Sequence, residues 1–175
     1  IRALPGESVF SCLSHDVVAH EVTHALLDGL RSHFSFPSGS DVPGFHEGFS
    51  DLVAIFQRLS CKELVNVAIR KTRGMLDKTE MLTELARQLG HAIGKKSMRD
   101  ALAEDSKTVY DPEAEAHEIG SILVAAVFDA YRTIFRRRTA RYIRLASQGS
   151  GITPQGDLPN DLAEILSDSA SSLAS

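Results

Sequence analysis

The sequence predicts a nearly all-α protein, and three observations carry that prediction. Apolar residues recur three and four apart over most of the chain, as at Met81, Leu82, Leu85 and Leu89. The alternation of apolar and polar residues that marks a half-buried strand is not found. Polar stretches bearing Gly and Pro, at 37–44 and 149–159, fall between the periodic runs and read as links.

Taken in order, Ile1 to Ser14, with Pro5 and Gly6, reads as a loop or extended approach. A first helix is expected from about Ser14 to Ser32, with Ser14 as N-cap and Val17, Val18, Val22, Leu26, Leu27 and Leu30 as the apolar positions of a buried helix. A second runs from about Gly44 to Leu59, and Lys62 to Thr72 forms a third. Glu80 to Ala92 is amphipathic, and Ser97 to Leu102 is expected to make a short helical turn. An acidic, irregular segment around Glu104 to Asp111 leads into a long helix from about Pro112 to Ala146. After the linker, Asp161 to Leu173 reads as a last helix, rich in Ser and Ala.

A chain of 175 residues with 43% hydrophobic residues buries one ordinary core. The expected division is a helical domain over residues 1–148, with a linker and C-terminal helix at 149–175 packed on or flanking it. Because it opens on Ile1 rather than Met, the chain reads as a piece of something longer. No run is long and apolar enough to span a bilayer, so no membrane partner is expected. The net charge of −4 argues against nucleic acid as a partner. Arg132, Arg136, Arg137, Arg138, Arg141 and Arg144 do cluster on the long helix, where they read as a solvated face whose stems cover apolar surface. Two cysteines, Cys12 and Cys61, are too few for a disulfide scaffold and are expected to be buried free thiols.

The chemistry is concentrated in His20-Glu21-Val22-Thr23-His24, which reads H-E-x-x-H within the first helix. Residues four apart on a helix lie about one turn on and share a face, so His20 and His24 can offer two imidazoles to one ion, and zinc suits that donor pair. Glu21 lies beside that face, placed to accept a proton from an attacking water. A catalytic zinc takes three protein ligands, and the second helix supplies a third. There Glu47 and Asp51 are four apart among apolar residues, an expensive arrangement unless something positive meets them. Glu47 as third ligand and Asp51 as acceptor for the free N–H of a ligand imidazole, His20 first among them, satisfy both demands.

This pattern resembles the gluzincin metallopeptidases, and His46-Glu47-Gly48-Phe49-Ser50-Asp51 is similar to the N-E-A-x-S-D segment of their thermolysin-like group, with His46 in place of Asn and Gly48 in place of Ala. The resemblance spans roughly Ser14 to Arg138 and implies a zincin-like helical subdomain, a Zn²⁺ cofactor and a peptide or protein substrate. Later, His117-Glu118-Ile119-Gly120-Ser121-Ile122 resembles the group's H-x-x-S-G-I segment with Gly and Ser exchanged. The resemblance implies that His117 is a donor to the oxyanion, oriented by an acid a few residues upstream, for which Asp111, Glu113 and Glu115 are candidates.

The family's second oxyanion donor is a Tyr between the second zinc His and the third ligand, and none lies between His24 and Glu47; Tyr110 is the substitute within this chain. Arg99 stands, by order along the chain, where the family has an Arg for the substrate carbonyl. The β-rich subdomain that supplies the family's substrate strand precedes the H-E-x-x-H helix, so here it is expected on an N-terminal part of a longer parent chain. The function expected is that of a zinc-dependent peptidase with His20, His24 and Glu47 as ligands and Glu21 as general base. The alternative is a catalytically inactive zinc-binding helical module that serves interaction or regulation.

Overall fold

The structure, a computed structural model, describes residues 14–32, 36, 38–74, 109–153 and 156–175. Five helices make up the described chain, α1 (His15–Leu30), α2 (Asp41–Leu59), α3 (Lys62–Thr72), α4 (Ala116–Ala146) and α5 (Asn160–Ala174), and the described residues contain no strand. The protein is mainly helical, as its periodicity requires. The helical segments expected at Glu80 to Ala92 and Ser97 to Leu102, together with Cys12 and Arg99, lie outside the described residues.

Local chemistry sets the helix boundaries. Ser14, extended at φ −93° and ψ 109°, holds the N-cap position of α1 without a side-chain cap bond. α2 starts three residues earlier than expected, because Pro43 sits in its first turn, where the missing N–H breaks no intrahelical bond. α4 starts at Ala116 rather than Pro112. Asp111 holds the preceding residues in a turn, its carboxylate accepting from the Glu113 N–H at 3.0 Å and its carbonyl from the Ala114 N–H at 3.1 Å. α3 ends in a reverse-turn cap in which the Gly74 N–H reaches the Ile69 carbonyl at 2.8 Å and the Arg73 N–H reaches Arg70 at 3.3 Å.

The chain divides into two compact units, Ile1–Ile55 with Thr83–Ala125 and Phe56–Leu82 with Ala126–Ser175. Within the first, α2 and the start of α4 approach backbone to backbone. A Cβ placed on Gly48 would lie 2.6 Å from the Gly120 carbonyl oxygen, and one on Gly120 would lie 2.7 Å from the Gly48 nitrogen. Only glycine fits on either side of that crossing. Close approach there brings His117, one turn before Gly120, against Glu47, one residue before Gly48.

The packing of α1 corrects an expectation. Its buried residues are Asp16, His20 and Thr23, whereas Val18, Val22, Leu26 and Leu30 are 43 to 69% exposed. The polar stripe of the helix faces inward, where His20 Nδ1 meets the buried Asp51 of α2 at 2.8 Å, and the aliphatic stripe is left to solvent. Glu21 is consequently exposed, not enclosed in a buried helix.

The second unit has an ordinary apolar interior of Leu59, Val65, Ala68, Ile69, Phe128, Phe135, Leu162 and Leu166, in which α3 packs on α5. Tyr131 is buried there and donates its hydroxyl to the Ala170 carbonyl at 2.9 Å; burial pushes its phenol well above the usual range. Cys61 is half-buried rather than fully buried and precedes α3, its thiol 3.3 Å from Glu63 Oε2. Five of the six arginines on α4 are exposed, and Arg132 pairs with Asp129 at 2.8 Å. No described helix is long and apolar enough to cross a membrane.

Candidate metal centre

Helical spacing on α1 and the α1–α2 approach bring three donor atoms together in the first unit. His20 Nε2 and His24 Nε2 are 3.0 Å apart, and Glu47 Oε2 lies 3.4 Å from the first and 3.6 Å from the second. Ligands bound tetrahedrally at about 2.0–2.1 Å are separated from one another by about 3.3 Å, so these three atoms are already spaced to share one small cation. Among the described residues they form the one group of three His, Cys or acidic side chains with that property.

Electrostatics point the same way. Glu47 Oε2 is buried without an aligned hydrogen-bond donor, although three imidazole nitrogens surround it. Burial pushes the Glu47 carboxyl up, but His20, His117 and His24 together hold it below its usual range. Burial pulls His20 down, yet the contacts with Asp51 and Glu47 outweigh it and raise the imidazole to about 9. A proton held that firmly marks a spot where positive charge is stabilised. His24 goes the other way, lowered by burial.

Around these donors lies a shell of polar partners. His20 Nδ1 is 2.8 Å from Asp51 Oδ1, with the N–H not aimed squarely at the oxygen, and burial raises the Asp51 carboxyl in spite of the imidazole. His24 Nδ1 lies 3.4 Å from His46 Nδ1, the two rings stacked within 9° of parallel, and His46 Nε2 lies 3.9 Å from Asp28 Oδ1. Both ligand-type histidines therefore have a partner on the nitrogen that faces away from the cluster, the arrangement that fixes imidazole orientation in metal sites. Neither His46 nor Asp28 was assigned a part from the sequence. The signal was present, since Asp28 follows His24 by four residues and His46 stands next to Glu47.

His117 opens α4 with its backbone N–H on Glu115 Oε2 at 3.2 Å and its Nδ1 2.8 Å from Glu115 Oε1. Of the three upstream acids, Glu115 is thus the one that touches the ring; Asp111 is occupied in its turn. His117 Nε2 lies 2.9 Å from Glu47 Oε2. Tyr110 donates its hydroxyl to Asp41 Oδ1 at 2.6 Å, at the start of α2. Glu21, next to His20, is exposed and in reach of solvent.

A helical chain with a His–His–Glu cluster and oriented imidazoles is the class that fold and site define. Compared with known proteins, the chain matches no family model, no curated protein and no solved structure.

Proposed function

We propose that the protein is a zinc-dependent peptidase of the gluzincin kind, with a zincin-like helical subdomain in which His20, His24 and Glu47 hold the ion. The observation that carries this reading is the mutual spacing of the three donor atoms at 3.0 to 3.6 Å. When bound, zinc supplies Lewis acidity toward a peptide carbonyl and lowers the pKa of water toward neutrality. Asp51 fixes the orientation of His20, and His46 backs His24. Glu21 is open to solvent, where a general base meets its water; it takes the proton as water attacks and returns it to the leaving amine. His117, with its Nδ1 2.8 Å from Glu115 and its Nε2 2.9 Å from the Glu47 carboxylate, would serve as a donor to the developing oxyanion.

The test pairs two substitutions with zinc analysis and a quenched-peptide assay. Glu21→Gln is expected to lower turnover at least about 100-fold while keeping its zinc, and Glu47→Ala to lose the zinc itself. Parental cleavage by Glu21→Gln refutes the base assignment. Zinc retained by the parental protein with no cleavage of any peptide supports the inactive zinc-binding module instead.

A further inference from the structure

The second unit carries a site of different character, formed where the C-terminus of α3 meets the approach to α5. An open hollow of about 500 Å³ is lined by Arg70, Lys71, Arg73, Gly156 and Asp157. That volume suits a small organic ligand or a polyphosphate. Among the described residues, three cations and one carboxylate line it. The unit as a whole repeats the imbalance, with 12 Lys and Arg against 8 Asp and Glu, whereas the first unit holds 7 against 15.

Two further details separate this hollow from an ordinary basic surface. The Arg70 guanidinium is fastened by neutral groups, its Nε donating to Asn66 Oδ1 at 2.8 Å and its Nη2 to Asn160 Oδ1 at 3.0 Å. Asn66 in turn donates to Ser167 Oγ at 3.0 Å, and the fully buried Ser167 donates to the Ala163 carbonyl at 2.6 Å. Arg70 is therefore held in place by neutral groups, with no ion pair among the described residues and with N–H groups to spare. Arg73, for its part, occupies a left-handed backbone position at φ 54°, where helices commonly place Gly. Keeping a long cationic side chain in that conformation has a cost that glycine avoids. The pull of the helix dipole explains cations near a C-terminus, but neither the neutral fastening of Arg70 nor the strained placement of Arg73.

We infer that this hollow binds a small soluble anion carrying at least two negative charges, of the phosphoryl or polyphosphate class, between Arg70, Lys71 and Arg73. Asp157 shares the lining with the cations and supplies an acceptor for a hydroxyl if the ligand bears one. The site is independent of the metal reading, since none of its residues belongs to the first unit.

The test is calorimetric titration of inorganic pyrophosphate into the metal-free 175-residue protein at low salt, so that an ion bound elsewhere plays no part. Saturable one-to-one binding is expected, weakened at least about tenfold by Lys71→Ala and by Arg73→Gly. Arg73→Gly should also melt at a higher temperature than the parent, because glycine takes φ 54° without strain; its lost binding then cannot be ascribed to unfolding. Arg141→Ala, which removes an exposed cation from α4, should leave the affinity unchanged. Absence of saturation, equal binding by Arg73→Gly and the parent, or an equal loss in Arg141→Ala each overturns the proposal. Binding to anionic phospholipid vesicles without binding to pyrophosphate overturns it as well.

Discussion

The interior of the unit that contains α1 includes Asp16, His20, Thr23, His46, Ser50 and Asp51, whereas the unit that contains α3 and α5 buries Leu59, Val65, Ile69, Phe135, Leu162 and Leu166. Both are helical, and both close a helix–helix contact over small residues or aliphatic side chains. They differ in what the interior holds. Burying apolar surface at about 25 cal/mol per Å² stabilises the second unit outright. The first forgoes part of that gain, leaving Val18, Val22, Leu26 and Leu30 toward solvent while imidazoles and carboxylates converge inside. A buried cluster of titratable groups of that sort is a candidate site as well as a core.

The contrast can be broken or sharpened by substitution. Phe135 is among the largest fully buried side chains of the second unit, and Phe135→Ala is expected to destabilise the protein by about 3–5 kcal/mol. Thermal or urea unfolding reads that loss, and zinc stoichiometry measured well below the transition should not change. If the zinc is lost along with the stability under folding conditions, the separation drawn between the two interiors fails.

If His20 and His24 hold zinc as proposed, removing their partners is expected to act in the opposite sense, on metal affinity more than on the fold. Asp51→Asn should weaken zinc binding about 10- to 100-fold, as loss of an orienting carboxylate does in metal sites. His46→Ala should do less, because its contact with His24 is long at 3.4 Å. Competition with a chromophoric chelator measures both. Equal affinities in all three proteins would show that these contacts hold no ligand in place.

The smallest change concerns the crossing of α2 and α4. Gly48→Ala puts a methyl group 2.6 Å from the Gly120 carbonyl oxygen, so the helices must part. A cost of about 1–3 kcal/mol is expected. The imidazole resonances of His117 should shift with it, because its 2.9 Å contact with Glu47 depends on that approach. An unchanged His117 spectrum would mean that the crossing does not set the contact.

Spacing along single helices was legible in the sequence. The bounds of α3 could be read directly, and so could the sharing of a face by His20 with His24 and by Glu47 with Asp51, because helical geometry alone determines them. What depends on how helices meet was not legible. The aliphatic residues on α1 suggest a buried apolar face, whereas the structure turns the face bearing Asp16, His20 and Thr23 inward. Three acids upstream of His117 looked equivalent until a turn at Asp111 and the start of α4 left Glu115 beside the ring. The Gly48–Gly120 crossing was hidden for the same reason, since each glycine is unremarkable until the other is known to oppose it.

The most direct test of the central claim is X-ray absorption at the zinc edge on protein loaded with one equivalent of zinc. Convergence of the three donors predicts two imidazole nitrogens and a carboxylate oxygen at about 2.0–2.1 Å, with a remaining light-atom position filled by solvent. A sulfur ligand, a third tightly bound imidazole in place of the carboxylate, or failure to retain zinc at all would contradict it.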